Sequence, residues 1–230
     1  MTKAKILEIF QSIQGEGKYA GVRQVFVRFF ECHMHCVWCD TPNSIGDGDR
    51  EYTEYLPTQL WESVEPLLKG CQSVSLTGGE PLLQTDFIKE FVPYLKKAGA
   101  PIYLETSGVL YKELAENIDA VDVVAMDFKL PSSTKCRPFW QEHEAFLKTA
   151  LKREVFIKAV ISSETQREDV ERSIGLISEC DPNILFILQP NYFDLKNGVV
   201  KKCLEFQSYC LRHLPNVRIM PQMHKVMKLR

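Results

Sequence analysis

Apolar residues along the chain fall into short β-branched runs that alternate with longer, more polar segments of helical spacing. The short runs predict strands, and the longer segments, in which apolar residues recur every three or four positions, predict helices. Strands are predicted at residues 5–10, 24–30, 73–77, 102–105, 121–127, 155–161, 184–189 and 217–220. Helices are predicted at residues 58–68, 86–97, 111–118, 139–151, 167–180 and 199–214, with Gly70 and Gly99 as end signals.

This alternation predicts an α/β fold in which mainly parallel strands are joined by right-handed crossovers. The sheet could be open or curved, and six or more strand–helix repeats favour the curved form, a partial (β/α)6-type barrel. We expect a single domain over residues 1–230, because no repeat or flexible linker divides the chain. Residues 42–55, rich in Gly, Asp and Asn, predict a surface loop. In either architecture, functional side chains are expected at the carboxyl ends of the strands.

Composition narrows the class of protein. Hydrophobic residues make up 45% and charged residues 25% of the 230 positions, which is typical of soluble globular proteins. A net charge of -2 without runs of like charge gives no reason to expect a nucleic-acid partner. No secretory signal or membrane-length apolar segment is evident, so we expect a cytoplasmic protein without a membrane partner.

The sequence contains eight cysteines, and three of them, Cys32, Cys36 and Cys39, form a C-x3-C-x2-C cluster after a predicted strand. In a reducing compartment, such clustering favours metal binding over disulfides. Zinc would need a fourth ligand, for which His33 or His35 could serve. A [4Fe-4S] cluster held by three thiolates would instead leave one iron open to a small molecule. The other cysteines are interpreted as small buried hydrophobic residues, namely Cys71, Cys136, Cys180, Cys203 and Cys210.

A second motif, Gly78-Gly79-Glu80-Pro81, ends the strand predicted at residues 73–77. Two consecutive glycines allow a ligand to approach the backbone closely, although such a turn is also common without any ligand. Together with the three cysteines and Trp38 before the last of them, this motif resembles the radical S-adenosylmethionine (SAM) superfamily. The resemblance implies a radical SAM barrel, a [4Fe-4S] cluster on the three cysteines, and SAM bound at the open iron.

Within that superfamily the chain resembles the 7-carboxy-7-deazaguanine synthases. The resemblance covers nearly the whole chain and is carried by residues 9–17, 27–29, 39–41, 77–83, 104–108, 188–190 and 222–225. It implies that 6-carboxy-5,6,7,8-tetrahydropterin is converted to 7-carboxy-7-deazaguanine with loss of ammonia, a lyase step of 7-deazapurine (queuosine-type) biosynthesis. It also implies Mg2+ as a further cofactor, a homodimer, and a flavodoxin-like or ferredoxin-like electron donor.

The resemblance assigns roles to individual residues. It implies that Arg28 binds the substrate carboxylate, a role that suits a planar guanidinium, and that the hydroxyl of Thr41 binds Mg2+. The other implied substrate contacts are Ile13, Gln14, Gly15 and Thr77. The implied SAM contacts are Trp38, Cys39, Asp40, Gly79, Asp127, Phe128, Lys129, Gln189, Pro190, Asn191 and Tyr192.

Several of these residues have simpler interpretations. Arg28 could pair with a surface acid, and Thr41 could cap the turn that follows it. Glu16 could be a solvated turn acid, Glu105 a buried structural acid, and Gln189 a strand-end cap.

Departures from the family pattern keep other functions open. Asp127-Phe128-Lys129 stands where many family members have Ser-Pro-Lys, and it is closer to the glycyl-radical-enzyme activases. Ser107 replaces an Asn, and Met223 replaces a Thr. The alternatives are therefore an activase with the same cluster and SAM, and a zinc-stabilised binding module without catalysis. Arg230 lies where the tail of the family closes over the substrate.

Overall fold

The computed structural model describes residues 1–47 and 51–229, so Arg230 and part of the predicted loop at 42–55 lie outside the described residues. The strands are β1 Ala4–Ile13, β2 Arg23–Phe29, β3 Thr53–Tyr55, β4 Ser73–Gly78, β5 Ile102–Thr106, β6 Val123–Asp127, β7 Glu154–Ile161, β8 Phe186–Pro190 and β9 Val217–Ile219. The α-helices are α1 Pro57–Val64, α2 Thr85–Lys97, α3 Tyr111–Asn117, α4 Pro131–Thr134, α5 Trp140–Ala150, α6 Arg167–Cys180, α7 Val199–Cys210 and α8 Met223–Val226. Short 3-10 helices lie at Gly17–Tyr19, Pro42–Ser44, Glu65–Leu67, Pro81–Gln84, Ile118–Ala120 and Tyr192–Asn197.

The nine strands form one sheet in the order β3-β1-β2-β4-β5-β6-β7-β8-β9. All neighbours from β2 to β9 pair in parallel, whereas β1 pairs antiparallel with both β2 and β3. Among the described residues, β3 and β9 do not pair with each other, so the sheet does not close into a barrel. The predicted α/β class with mainly parallel strands is confirmed, as a sheet that stays open.

Most predicted elements are present, and the differences have local causes. The helix predicted at 58–68 ends as an α-helix at Val64 and continues as a 3-10 turn over Glu65–Leu67. Pro66 lacks the N–H that would continue the α-helical hydrogen bonds. Strand β3 lies inside the predicted loop, and α4 and α8 are each four residues long, too short to show a helical period.

Alternate residues of the parallel strands point to opposite faces of the sheet. One face packs against the helices and forms the main core, to which the strands contribute residues such as Val27, Leu76, Leu104, Met126 and Ala159. Their sequence neighbours point to the other face, where Tyr103, Phe156, Leu185 and Ile187 form a smaller apolar cluster. The functional cavity lies on this second face.

None of the described helices combines the length and the apolar character needed to cross a membrane.

Candidate active site

A cavity of about 340 Å³ opens on the second face of the sheet. Strands β2 and β4 to β8 each present side chains to it, and the loops at their carboxyl ends close one side. The strand residues in its wall are Phe10, Ile13, Phe26, Arg28, Thr77, Gly78, Tyr103, Glu105, Thr106, Ala125, Asp127, Phe156, Lys158, Val160 and Gln189. The site therefore extends over the face of the sheet and is not confined to its carboxyl edge.

This cavity gathers most of the residues singled out in the sequence. Its lining contains Ile13, Gln14, Gly15, Arg28, Cys32, Cys36, Trp38, Cys39, Asp40, Thr41, Thr77, Gly79, Asp127, Lys129, Gln189 and Asn191. Phe128, Pro190 and Tyr192 lie outside the lining. Phe128 is buried and stacks on His143 at 5.0 Å, because it follows Asp127 and faces the opposite way. Tyr192 is 40% exposed and contacts Phe193.

The loop after β2 carries the three cysteines and is held at two points by the segment around α4. The Val37 N–H donates to the Thr134 carbonyl at 3.2 Å, and the Trp38 Nε1–H donates to the Ser133 hydroxyl at 2.9 Å. Burial raises the pKa of Cys32 to about 11 and that of Cys36 to about 12. Metal binding to these thiols would therefore release protons.

The spacing of the thiols fits an iron-sulfur cluster better than zinc. Tetrahedral zinc with bonds of about 2.3 Å brings its sulfurs to about 3.8 Å from one another. In the described residues, the three cysteine sulfurs are not all within 4.8 Å of one another. Of the two proposed fourth zinc ligands, His35 pairs with Asp47 at 2.7 Å, and His33 is not part of the cavity lining. Three soft ligands around a small open space suit a larger cluster with one free coordination site.

The glycine turn after β4 is shaped by a close backbone crossing. A Cβ on Gly78 would lie 2.3 Å from the Phe29 carbonyl oxygen, and one on Gly79 would lie 2.1 Å from that of Glu31. Both glycines are therefore required for the cysteine loop to cross the turn. Glu80 is buried and accepts hydrogen bonds from Thr106 and Ser107, the latter hydroxyl at 2.6 Å. Glu80 thus fixes the turn, and Ser107 supplies a donor in place of the family's Asn.

Charged and orphaned polar groups line the side formed by β6 and β8. The Lys129 ammonium contacts the Asp127 carboxylate at 2.8 Å and lies 5.3 Å from the centre of the Trp38 ring. Burial opposes the charged form of Lys129, but Asp127 outweighs it and raises the Lys129 pKa above its usual value. Among the described residues, Asp127 Oδ1 and Gln189 Oε1 are buried without a hydrogen-bond partner, although the Lys158 ammonium lies 3.5 Å from Asp127 Oδ1. These acceptors suit a ligand that brings hydroxyl or amino donors, such as the ribose and adenine of SAM.

Buried hydrogen bonds fix a carboxylate in the cavity wall. Glu105 accepts from Gln14 Nε2 at 2.8 Å, from the Ser75 hydroxyl at 3.0 Å and from the Thr77 hydroxyl at 2.9 Å. Gln14 also donates to Gln24 and accepts from the Glu16 N–H, so its side-chain amide is occupied within the protein. Gln14 therefore orients Glu105, and both residues line the cavity.

Arg28 lines the cavity and also pairs with an acid. Its Nε donates to Glu8 at 2.6 Å, its guanidinium lies 5.8 Å from the centre of the Phe10 ring, and the side chain is 16% exposed. Phe10 and Phe26 stack at 5.1 Å and form the adjoining wall. Among the described residues, the terminal nitrogens of Arg28 have no hydrogen-bond acceptor, so they can take a ligand carboxylate.

Thr41 begins the Pro42–Ser44 turn without capping it by its side chain. Its hydroxyl accepts from Ser44 at 3.3 Å and faces the cavity, so it can still coordinate a hard cation that keeps several waters. A nearby group consists of Glu16, Asp40 and His224, whose ligand atoms all lie within 4.8 Å of one another.

Sequence reasoning gave no role to Lys158, Gln222, His224 or Lys225, all of which line the cavity. Lys158 could have been recognised from the sequence, because it is the one charged residue within the apolar run Val-Phe-Ile-Lys-Ala-Val-Ile of β7. The segment Gln222 to Lys225 matched the family, but nothing local indicated that it returns to the site. Glu16, one possible solvated turn acid, lies in the lining and pairs with Lys158.

Comparisons with known proteins agree with this geometry. Residues 27–163 match the model of the radical SAM superfamily. A 7-carboxy-7-deazaguanine synthase of Geobacter sulfurreducens is 37% identical over 97% of both chains, and one of Methanocaldococcus jannaschii is 33% identical over 96% of this chain and 98% of the other. The crystal structure of QueE from Escherichia coli has the same fold, with a TM-score of 0.67 and 23% identity over 96% of this chain and 95% of the other. This chain belongs to the radical SAM superfamily and, within it, to the family of the 7-carboxy-7-deazaguanine synthases.

Proposed function

We propose that this chain converts 6-carboxy-5,6,7,8-tetrahydropterin to 7-carboxy-7-deazaguanine with loss of ammonia. The observation that carries the proposal is that the three thiols and the guanidinium of Arg28 line one cavity of about 340 Å³. A radical generated at the cluster would therefore form within the space that holds a small carboxylated substrate. The apolar walls of Phe10, Phe26 and Phe156 would limit water there.

Cys32, Cys36 and Cys39 would hold the [4Fe-4S] cluster, and the buried acceptors Asp127 Oδ1 and Gln189 Oε1 would bind SAM. When bound, these groups supply the one-electron cleavage of SAM that starts the reaction on the substrate. The Ser133 hydroxyl accepts a hydrogen bond from Trp38, and Lys129 lies against the Trp38 ring, so these contacts would keep the SAM side rigid.

The remaining polar groups would orient the pterin. The two terminal nitrogens of Arg28 would bind its carboxylate, and Thr41 would share a Mg2+ ion with the same group. Glu105 would accept from the N–H groups of the amino-pyrimidinone edge, because a carboxylate held by three neutral donors still attracts further N–H groups. Gln14 would act through Glu105, whereas Ile13 and Gly15 would supply the neighbouring backbone edge.

The comparisons give no support to the activase alternative. The departure that suggested it, Asp127-Phe128-Lys129, changes the site less than its sequence implies. Phe128 is buried against His143 and does not reach the cavity, whereas Asp127 and Lys129 do.

Two partners belong to the proposal. A flavodoxin-like or ferredoxin-like donor would reduce the cluster, and Val37, 66% exposed beside Cys36, offers a short path from the surface. A homodimer would cover apolar residues on the outer side of the chain around α7, where Val200, Leu204 and Leu211 are exposed.

The experiment is an anaerobic assay of the reconstituted enzyme with SAM, a reductant, Mg2+ and the carboxytetrahydropterin, in which 7-carboxy-7-deazaguanine and ammonia are measured. We expect both products in equal amounts. The matched control substrate is the same pterin without its carboxyl group, which should give neither product. A chain that binds the cluster and cleaves SAM but forms no deazaguanine from the carboxylated pterin would contradict the proposal.

A further inference from the structure

Lys158 lies in the interior of β7 with its side chain only 14% exposed. Its ammonium forms an ion pair with the Glu16 carboxylate and lies 3.5 Å from Asp127 Oδ1. Asp127 is also its register partner on β6. A buried ammonium is retained at a cost unless opposite charges surround it, and here two carboxylates from different parts of the chain do so.

The pairing continues from Lys158 toward the carboxyl terminus. The other oxygen of Glu16 accepts a hydrogen bond from Gln222 Nε2 at 2.6 Å, and the same nitrogen lies 3.0 Å from Asp40 Oδ2. His224 Nε2 and Lys225 Nζ each lie 3.7 Å from that oxygen of Asp40. A continuous series of ion pairs and hydrogen bonds thus connects β6 and β7 with residues 222–225.

We define residues 222–229 as the tail. It lies against the cavity, since Gln222, His224, Lys225 and Leu229 belong to the lining. One backbone hydrogen bond, from Met223 N–H to the Gly15 carbonyl at 2.8 Å, attaches it to the turn that carries Glu16. Val226, Met227 and Leu229 are exposed, so little apolar burial holds this segment in place. Its attachment therefore depends mainly on Glu16, Gly15 and Asp40.

We propose that Lys158 is a positioning residue that fastens the tail over the cavity by holding the carboxylate of Glu16 toward Gln222. Without the ammonium, Glu16 is a partly buried carboxylate with one neutral donor, and it turns toward water. Gln222 then loses its short hydrogen bond. Asp127 keeps Lys129 at 2.8 Å, so the SAM side is perturbed less than the tail. That the ligand held beneath the tail is the pterin rests on the proposed function. The contacts of Lys158 and Glu16 with the tail do not depend on it.

The test measures amide hydrogen exchange of residues 222–229 in the reconstituted enzyme. In Lys158→Met, exchange in the tail should accelerate about tenfold, as expected when a buried hydrogen bond to a charged group is lost. Lys158→Arg should restore protection, because a guanidinium can bridge two carboxylates. The matched control is Lys18→Met, which removes a surface lysine that pairs with Glu154 at the exposed end of the same strand and should leave the tail unchanged.

Ligand titrations provide a second readout that general destabilisation would not reproduce. Lys158→Met should weaken pterin binding about tenfold or more, while SAM binding stays within about threefold of wild type. If Lys158→Met does not fold, the same measurements are made on Lys158→Gln, which keeps a polar but uncharged end group. Unchanged exchange in a folded neutral variant would overturn the proposal, as would equal loss of both ligands. If exchange of the tail is faster in Lys158→Met but the wild-type enzyme forms no deazaguanine, only the proposed function is refuted. The role of Lys158 in fastening the tail would stand.

Discussion

Arg28 and Glu8 face each other across β1 and β2, and the Arg28 Nε donates a 2.6 Å hydrogen bond to the Glu8 carboxylate. By accepting from Nε, the Glu8 carboxylate fixes the orientation of the guanidinium plane. Among residues 1–47 and 51–229 the two terminal nitrogens have no hydrogen-bond acceptor, so the ion pair orients Arg28 and does not compete with its proposed role.

Arg28→Ala should weaken pterin binding by about 2–4 kcal/mol, roughly 30- to 1000-fold, because it removes one side of a partly desolvated charge pair. Arg28→Lys should recover only part of this, since an ammonium cannot form two parallel hydrogen bonds. Uncoupled cleavage of SAM should persist in both variants. Anaerobic pterin titration together with a 5'-deoxyadenosine assay measures these effects, and unchanged pterin affinity in Arg28→Ala would remove Arg28 from the site.

Glu8→Gln provides a graded comparison. It keeps the shape of the side chain but weakens its hold on the guanidinium, so the loss of pterin affinity should be smaller, about tenfold or less.

Four cysteines lie near one another in the region of the cluster, and they are not equivalent. Cys36 and Cys136 both pack against Met34, Val109 and Phe139, but only Cys36 lines the cavity. Cys36→Ala should abolish iron-sulfur absorption and SAM cleavage, because three thiolates leave no spare ligand. Cys136→Ala should retain both. Iron and sulfide content per chain after reconstitution distinguishes them, and a full cluster in Cys36→Ala would refute the assignment.

Gly15 leaves room for the tail. A Cβ at this position would lie 2.0 Å from His224 Nδ1 and 2.8 Å from its Cβ, so the histidine as a whole would have to move. Gly15→Ala should therefore release the tail and weaken pterin binding about tenfold. Hydrogen exchange of residues 222–229 and pterin titration measure the effect.

Gly175 in α6 is the matched control, because a Cβ there would meet nothing within 4 Å. Gly175→Ala should leave the tail unchanged and stabilise the fold by about 0.5–1 kcal/mol through helix propensity. Tail protection that survives in Gly15→Ala would show that His224 has another position available.

His143 should make the fold sensitive to acid. Burial, followed by the nearby Lys129, lowers the pKa of His143 from 6.5 to about 3. Between these two pKa values the unfolded chain binds more protons than the folded chain. The stability that neutral His143 contributes is therefore fully present above about pH 6.5 and is lost as the pH falls. Wild type should lose about 2 kcal/mol of unfolding free energy between pH 7.5 and pH 5 that His143→Leu does not lose. Denaturant titrations of both cluster-free chains at the two pH values test this, and equal losses would contradict it.

Local sequence predicted the strands other than β3, most of the helices and the cysteine cluster, because each depends on neighbouring residues. The alternation in β7, for example, distinguishes Ile157 and Ala159, which enter the core, from Phe156 and Lys158, which face the cavity. The end of α1 before Pro66 and the short helices α4 and α8 were not predicted, since a single helix-breaking residue or one helical turn gives too weak a periodic signal.

What the sequence by itself determined was the chemistry available: three thiols at fixed spacing, a glycine turn, and an arginine on a strand. The tertiary structure alone decided how these groups are used. Gln14 turned out to hold Glu105 by a contact 91 positions away along the chain, and Gln222 reaches Glu16 across 206 positions. Such pairings leave no local pattern, because they arise only when sheet register and chain path bring distant side chains together in a space where buried charges must find partners.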